Sequence, residues 1–286
     1  MLADAFRDIT PPLLWRALRS VRRKLDNATP PESEILGREA LYLSGDYQSW
    51  SEAMASSTGY DVEIIVEKTK NALLKVKNGE AVYERDSVLF DEIQYVWPLL
   101  SGLMWVAARN GGSLNVLDFG GSLGSTYFQN RAFCSGLSEV RWNIVAQGRQ
   151  VDAGKRWLEN DQLKFYAKIE ECLAETQPQV IILSSVLQYL EHPHETLAEL
   201  LSLRCNHLIV DRTPFWAGPT DRLCVQHVPS EIYPASYPSW IFSTQRFHSC
   251  FYGKWQIIAE FSNPDKLPGP VDFAYRGMIV TRREPI

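Results

Sequence analysis

The sequence predicts an α/β fold with a doubly wound, mostly parallel sheet and an N-terminal helical cap. From residue 114 onward, short apolar runs alternate with segments of helical spacing, which is the βαβα order of a parallel sheet. The first apolar run passes directly into a glycine-rich turn, whereas residues 48–110 carry mostly helical periodicity. We therefore expect a helical region over residues 1–110 and a sheet domain over residues 111–286.

The composition is that of an ordinary globular protein with a sizeable core, since 45% of the 286 residues are apolar and 22% are charged. A net charge of −5 argues against nucleic-acid binding by bulk electrostatics. The five cysteines stand singly, without a CxxC pair or a Cys/His cluster, so neither a metal site nor a disulfide framework is predicted. Reduced thiols in a cytoplasmic protein are the interpretation we prefer. Neither a membrane span nor a signal peptide is indicated.

Residues 11–25 predict an amphipathic helix that two prolines open. Its two faces differ, with apolar residues on one and arginines on the other: Leu14, Leu18, Val21 and Leu25 against Arg16, Arg19 and Arg23. Either the apolar stripe docks the helix on the protein body, or the basic face contacts an anionic membrane surface or a partner. Residues 26–34, with two prolines, are typical of a linker.

A charged cluster, YERD at residues 83–86, precedes an apolar segment that predicts a helix. One interpretation is a charged first turn with local ion pairs. The other is a lid whose side chains reach a ligand. The side chains expected to contact the ligand are then Tyr83, Glu84 and Arg85.

The predicted sheet domain alternates strands and helices in chain order. Strands are expected at residues 115–119, 141–147, 163–169, 178–185 and 206–215, and helices at 123–137, 151–161 and 192–204. Ligands of such a sheet bind beyond the carboxyl ends of the strands, near the point where the strand order reverses.

The turn after the first of these strands, in LDFGGSLGSTYFQNR, favours a particular ligand class. Gly120, Gly121 and Gly124 let the backbone approach a ligand closely, and a helix N-terminus follows. A dinucleotide would require G-x-G-x-x-G, but the window here reads G-G-S-L-G-S. S-adenosylmethionine has no phosphate, and Asp118 at the strand end suits its ammonium group. D-F-G-G-S-L-G fits D-x-G-x-x-x-G, with Ser122 where a middle glycine is usual; a tight turn without a ligand stays an alternative.

The strand that begins near residue 180 supports a cofactor site, because it ends in polar residues. Ser184, Ser185, Gln188 and Tyr189 follow an apolar run that would otherwise have little reason to carry them. The serines can also simply cap the next helix. The cofactor-binding residues expected so far are Asp118, Gly120, Gly121, Ser122, Gly124, Ser125, Ser184, Ser185 and Gln188.

Several long blocks resemble a family of class I S-adenosylmethionine-dependent methyltransferases that commonly occur in bacterial surface-polysaccharide gene clusters. The blocks are LDFGGSLGSTYFQNR, SSVLQYLEHP, DRTPF, VQHVPSEIYPASYPSW, GYD and YERDSVLFDEIQYVWP. The resemblance implies a seven-stranded, Rossmann-like sheet closed by YGKWQIIAEF and DFAYRGMIVTRR, with S-adenosylmethionine as cofactor. It also implies methyl transfer to a small acceptor, and we expect a hydroxyl of a nucleotide-linked or lipid-linked sugar.

One position departs from the family pattern. Where the pattern is similar to V-E-Q, with the glutamate holding the ribose hydroxyls, this chain has Val145, Ala146 and Gln147. Losing such a charge-assisted pair of hydrogen bonds costs roughly 1.5–3 kcal/mol, a factor of about ten to a hundred in affinity. Either Gln147 or a water takes over this role, or the cofactor binds weakly, or the chain has lost catalysis.

The acceptor side is expected at the end of the strand that stops near residue 215 and in a substrate-loop insertion around 213–245. An aromatic, proline-stiffened loop suits the wall of a site for a sugar or another small polar molecule, but can also be a surface loop that packs its own aromatics. The acceptor-contacting residues expected here are Tyr189, Arg212, Gln226, Tyr233, Tyr237 and Trp240. As general base we expect His227 or Asp211, with His192 and His194 behind them.

Two rival functions stay open. A nicotinamide-dependent oxidoreductase or epimerase is disfavoured by the missing G-x-G-x-x-G. A non-catalytic partner protein that keeps the fold is favoured by Ala146. We expect a cytoplasmic protein. If the basic face of residues 11–25 contacts a membrane surface, the protein is also membrane-peripheral.

Overall fold

The computed structural model describes residues 41–59, 62–229 and 235–283, which belong to one compact unit. The predicted helix 11–25 with its membrane or partner contact, the linker 26–34, and Tyr233 lie outside the described residues. Within those residues no helix has both the length and the apolar character needed to cross a membrane.

Strands and helices alternate through most of the described chain. The strands are β1 (Tyr42–Tyr47), β2 (Tyr83–Arg85), β3 (Val88–Phe90), β4 (Ser113–Phe119), β5 (Glu139–Val145), β6 (Leu163–Tyr166), β7 (Val180–Ser184), β8 (His207–Trp216), β9 (Arg222–Val228), β10 (Ala235–Ser243), β11 (Trp255–Ser262) and β12 (Phe273–Arg282). The helices are α1 (Trp50–Ala55), α2 (Val62–Lys77), α3 (Trp97–Arg109), α4 (Ser125–Cys134), α5 (Gly148–Trp157), α6 (Ile169–Glu175), α7 (Pro193–Ser202) and α8 (Thr244–Ser249), with a short 3₁₀ turn at Leu187–Tyr189.

The central sheet has the order β6-β5-β4-β7-β8-β12-β11. The five strands from β6 to β8 are parallel, and β12 is antiparallel both to β8 and to β11. This arrangement confirms the predicted doubly wound, mostly parallel sheet. Chain order reverses beside β4, which places the switch point at the carboxyl ends of β4 and β7.

The sheet is larger than the seven strands expected, because most of the described residues between 213 and 245 form strands instead of a loop. Strand β8 outruns β7, and its free edge at Phe215 and Trp216 pairs with β10. Strand β9 pairs with β10, and β1 pairs with β9, which extends the sheet to ten strands. The sequence RLCVQHV of β9 has strand-forming composition, and its ladder with β10 outweighs the proline signals nearby.

The predicted helical character of residues 48–110 is also only partly right. Helices α1, α2 and α3 form, but residues 83–90 fold into the β2–β3 hairpin. Its two turn residues, Asp86 and Ser87, have φ of 53° and 70°, the left-handed pair of a type I′ turn. The sequence lacks the Asn-Gly or Asp-Gly signal that usually marks such a turn, which is why the hairpin was not predicted.

Apolar clusters cover both faces of the sheet. One joins α2, α3, α4 and α5 to β4 and β5 around the fully buried Trp142 and Phe165. The other joins α6, α7 and α8 to β7 and β8 around Phe215 and Phe242. The two layers hold the carboxyl ends of the parallel strands in fixed positions.

A β-bulge in β8 positions two of the predicted site residues. Thr213 pairs with Arg276 and Val210 with Met278, so Asp211 and Arg212 together face the single residue Gly277. Arg212 has a φ of 48°. The bulge aims the two neighbouring side chains differently from those of a regular strand.

Gly277 is required by this bulge, and we expect Gly277→Ala to destabilise the protein. An added Cβ would lie 2.6 Å from the carbonyl oxygen of Val210 and 2.2 Å from the ring of Phe261. The expected loss is about 1–3 kcal/mol of unfolding free energy, measured by chemical denaturation. Gly136→Ala, where a Cβ has nothing within 4 Å, is the control and should not lose stability. Equal stability of the two variants would contradict the bulge account.

Candidate active site

A cavity of about 390 Å³ opens at the carboxyl ends of β4, β7 and β8. Twelve residues predicted for the cofactor or acceptor line it: Arg85, Asp118, Gly120, Gly121, Ser122, Ser125, Ser184, Ser185, Tyr189, Arg212, Gln226 and Tyr237. Asp86, the last residue of the YERD cluster, also lines it, and the sequence analysis missed seven further lining residues: Leu41, Thr126, Val228, Asp265, Lys266, Leu267 and Tyr275. Residues predicted to bind the cofactor and residues predicted to contact the acceptor therefore line the same cavity.

The turn between β4 and α4 has no room for side chains at its first two positions. A Cβ on Gly120, whose φ is 73°, would lie 2.2 Å from Val186 Cγ2. A Cβ on Gly121 would lie 2.5 Å from Asp118 Cγ. Gly124, with a φ of 98°, is the N-cap of α4. Because neither of the first two positions can carry a side chain, the backbone of the turn faces the cavity directly.

Asp118 is buried beneath this turn, with 1% of its surface exposed. One carboxylate oxygen accepts a hydrogen bond from Trp142 Nε1 at 2.9 Å. Burial raises the pKa of Asp118 to about 6, although the indole bond works in the opposite direction. A carboxylate so poorly solvated would be stabilised by a cationic group brought into the cavity.

Backbone strain is concentrated at the cavity. Among the described non-glycine residues, positive φ occurs at Asp86, Ser87, Ser122, Ser185 and Arg212. All of these except Ser87 line the cavity. Each such residue costs of order 1–3 kcal/mol, and strain of this kind clusters at ligand sites and active sites.

The ribose position predicted from the second strand holds no acid. Ala146 is half-buried against the core, and Gln147, whose side chain is exposed, is the N-cap residue of α5. Neither residue lines the cavity. Gln150, which the sequence analysis missed, donates from Nε2 to Ser122 Oγ at 3.3 Å. The side-chain amide that contacts the glycine turn is therefore that of Gln150, which lies about one helical turn after Gln147.

On the acceptor side, three side chains form a continuous hydrogen-bonded wall. Tyr189 donates its hydroxyl to Gln226 Oε1 at 3.1 Å, and Gln226 Nε2 donates to the Tyr237 hydroxyl oxygen at 3.2 Å. The two phenol rings meet edge to face, with centroids 5.4 Å apart. Behind this wall, the buried Gln188 donates to Ser185 Oγ and to the carbonyl of Arg212. The wall offers neutral polar groups and aromatic faces.

An ion-pair cluster joins three separate segments across the cavity. Arg212 contacts Asp265 through Nε at 3.1 Å and Asp86 through Nη2 at 2.9 Å. Arg85 Nη1 lies 3.7 Å from the second oxygen of Asp265. The cluster ties the β2–β3 hairpin and the β11–β12 connection to β8.

Neither residue predicted as general base lines the cavity. Side chains alternate along β9, so His227 points away from the face that carries Gln226. Its Nε2 lies 2.9 Å from Ser44 Oγ, and its ring stacks on Tyr42. The structure thus places the His227 ring against Ser44 and Tyr42, outside the cavity lining where the predicted base was expected.

Asp211 is directed into the protein by the bulge in β8. It is 1% exposed and accepts hydrogen bonds from Ser184 Oγ at 3.0 Å and Asn263 Nδ2 at 2.9 Å. Burial raises the pKa of Asp211. These contacts fit a residue that holds β7 and the end of β11 together, and they give it no direct approach to an acceptor.

Four other predicted side chains lie away from the cavity. Trp240 donates to the carbonyl of Leu190. Tyr83 accepts from Gln129 Nε2. His192 is exposed near Glu195, and His194 lies 2.7 Å from Asp221.

Glu84 contacts the site indirectly, from beneath the β2–β3 hairpin. It is 1% exposed and accepts hydrogen bonds from Ser125 Oγ and from the Ser87 amide, both at 2.7 Å. Burial raises the pKa of Glu84 to about 7, against the effect of these two hydrogen bonds. Glu84 thus connects the hairpin to the first residue of α4.

No protein-family model and no curated protein matches the chain. Among solved structures, it is similar to the N-terminal domain of EvdMO1 in the presence of S-adenosylhomocysteine (SAH) and D-fucose. The identity is 12% and the TM-score 0.44, over 79% of this chain and 98% of that one. A second is the 1,6-didemethyltoxoflavin-N1-methyltransferase of Burkholderia thailandensis with bound 1,6-didemethyltoxoflavin and SAH, at 13% identity and a TM-score of 0.41, over 87% and 96%. A third is the magnesium protoporphyrin IX methyltransferase ChlM of Synechocystis PCC 6803 with SAH, at 14% and 0.44, over 65% and 82%.

The buried carboxyl of Glu84 makes stability depend on pH in a defined direction. Because its pKa is about 7 in the folded protein and lower in the unfolded chain, the folded state binds the proton more tightly. The contribution of protonated Glu84 to the unfolding free energy is fully present at low pH and is lost as pH rises to about 7. As pH rises from 4.5 to 7.5, we expect the unfolding free energy of Glu84→Gln to increase relative to that of the wild type by on the order of 3 kcal/mol, measured by denaturation.

The control for this experiment is Glu92→Gln, an exposed carboxylate that follows the same hairpin. Its stability should follow the wild type at every pH. A difference between wild type and Glu84→Gln that stays constant with pH would show that Glu84 does not titrate in this range.

Proposed function

We propose that this chain is an S-adenosylmethionine-dependent methyltransferase that acts on a small-molecule acceptor. The observation that carries the proposal is the buried Asp118 carboxylate beneath the Gly120–Gly121 turn, open to a cavity at the switch point of the sheet. The turn offers backbone and a helix N-terminus to a ligand that carries an ammonium and a carboxylate. The motif resemblance agrees with this.

The residues present fit the cofactor at both of its ends. Asp118 would face the ammonium, and the first amides of α4, at Ser125 and Thr126, would face the carboxylate. On the ribose side, Gln150, which contacts Ser122, would provide an amide group in place of the missing acid. When bound, the cofactor supplies an electrophilic methyl group on a sulfonium ion.

The acceptor we propose is a hydroxyl of a nucleotide-linked or lipid-linked sugar, as in polysaccharide biosynthesis. The family resemblance suggests this class, and the wall of Tyr189, Gln226 and Tyr237 supports it with neutral hydrogen-bonding groups and aromatic faces. Such a wall positions a polyol without requiring charge on it.

Transfer to a hydroxyl requires a group that accepts its proton. In the described residues the carboxylates on the acceptor side of the cavity are Asp86 and Asp265. We assign the role to Asp265, because its side chain is 23% exposed against 64% for Asp86, and Arg212 and Arg85 fix its position. Arg212 would keep the carboxylate oriented toward the acceptor.

A second candidate, a non-catalytic partner protein with the same fold, is favoured by two observations. Ala146 has no side chain that could hold a ribose, and neither residue predicted as base faces the cavity. Cofactor affinity separates the two functions.

We expect the purified protein to bind S-adenosylhomocysteine in a calorimetric titration. Ala146→Glu should bind about ten- to a hundredfold more tightly, because it supplies the carboxylate that the family pattern has at this position for two charge-assisted hydrogen bonds to the ribose. Ala132→Glu, at an exposed position on α4, controls for added negative charge and should bind like the wild type. If no variant binds at millimolar ligand, the methyltransferase proposal fails and the partner-protein function replaces it.

Asp265→Asn should abolish turnover without affecting the cofactor. With nucleotide-linked sugars as acceptors and methyl-labelled cofactor, we expect at least about a hundredfold loss of methyl transfer, the usual contribution of a general base. Affinity for S-adenosylhomocysteine should stay unchanged. Asp272→Asn, an exposed acid in the same β11–β12 connection, is the matched control. Full activity in Asp265→Asn would remove the residue from the mechanism.

A further inference from the structure

Outside the cavity described above, a cysteine, a histidine and an aspartate are connected by two successive side-chain contacts. Cys250 Sγ, just after α8, lies 3.6 Å from His194 Nδ1. The other ring nitrogen, His194 Nε2, lies 2.7 Å from Asp221 Oδ2. The three residues come from distant parts of the sequence, and the proposed methyl transfer uses none of them.

The acid and the imidazole are held firmly. The Asp221 side chain is 5% exposed, its Oδ1 accepts from the Ser243 amide at 2.8 Å, and Arg246 Nη1 lies 3.2 Å from Oδ2. The imidazole ring of His194 meets Phe242 edge to face, with centroids 5.8 Å apart. The hydrogen bond to Asp221 raises the pKa of His194 to about 9, so the ring is cationic at neutral pH.

Cys250 differs from the other four cysteines of the chain. Those four are buried, and burial raises the pKa of each of their thiols: Cys134, Cys172, Cys205 and Cys224. Cys250, in contrast, is partly exposed. Its thiol contacts the ring of a histidine, whereas the Cys205 thiol contacts His207 only at its backbone carbonyl.

The linear arrangement suits nucleophilic chemistry better than metal binding. His194 stands between the thiol and the carboxylate and uses one nitrogen for each, so the three groups do not converge on a point. No cluster that could hold a metal ion occurs anywhere in the described ranges. A thiol beside a cationic imidazole, with a third group that orients the ring, has the parts of an activated nucleophile.

We propose that Cys250, His194 and Asp221 form an activated-thiol site that reacts with small disulfides. The Cys250 thiol releases its proton to water, the His194 imidazolium stabilises the thiolate, and the Cys250 sulfur attacks one sulfur of the disulfide. A new bond forms between Cys250 and that sulfur as the original sulfur–sulfur bond breaks. The other half leaves as a thiolate, which takes a proton from water. Cys250 is then held in a mixed disulfide, and a thiol reverses the reaction.

The test uses dipyridyl disulfide as the probe, under native conditions and in excess, with the released pyridinethione followed by absorbance. An ordinary thiol is only a few per cent thiolate at pH 7. We expect one fast equivalent, mapped by mass spectrometry to the tryptic peptide of residues 247–254. Its rate at pH 7 should be about tenfold higher in the wild type than in His194→Asn. The matched control is His192→Asn, an exposed histidine two residues away, which should react like the wild type.

A second measurement requires no variant. The rate of the wild type should change little between pH 6.5 and pH 8.5, since the imidazolium of His194 is present throughout; the other charged groups at the site are Asp221 and Arg246. A rate that rises about tenfold per pH unit, as for an ordinary thiol, would overturn the proposal. So would fast labelling of another cysteine, or equal rates in wild type and His194→Asn.

Discussion

The packing of the Asp118 carboxylate against the backbone of its own turn determines the shape of the cofactor side. Gly121 passes so close above the carboxyl group that a single methyl would collide with it, and Trp142 fixes the carboxyl from the neighbouring strand. The acid is therefore kept out of water at the edge of a cavity. Such a group gains most from a bound cation, which connects the local packing to the proposed cofactor.

The acceptor side is assembled in a different way, from segments far apart in the chain. The bulge in β8 sends Asp211 inward and Arg212 into the cavity, and Arg212 then holds a hairpin on one side and a connecting segment on the other. Strained backbone at Asp86, Ser185 and Arg212 accompanies this arrangement. The two apolar layers that fix the strand ends offset the energetic cost of this strain. Strained residues that the surrounding structure stabilises are common at binding sites.

The parts of the fold that local sequence determines were predicted well. The Gly120–Gly121 turn follows directly from glycines after an apolar strand, and the parallel sheet follows from alternating strand and helix patterns. The direction of the His227 side chain was not predictable, because a shift of one residue moves a side chain to the other face of a strand and composition does not determine which face it takes. Asp265 and the pairing of Cys250 with His194 depend on contacts between residues 53 or more positions apart, which no local pattern contains.

The central claim, that the glycine turn holds the cofactor, is tested most directly by hydrogen–deuterium exchange with and without saturating S-adenosylhomocysteine. The account predicts slower exchange in the backbone of residues 119–127 and 184–189, where the turn, the start of α4 and the end of β7 meet. The β9–β10 hairpin should change less, because it faces the acceptor. Unchanged exchange at residues 119–127, or protection confined to another part of the chain, would contradict the account.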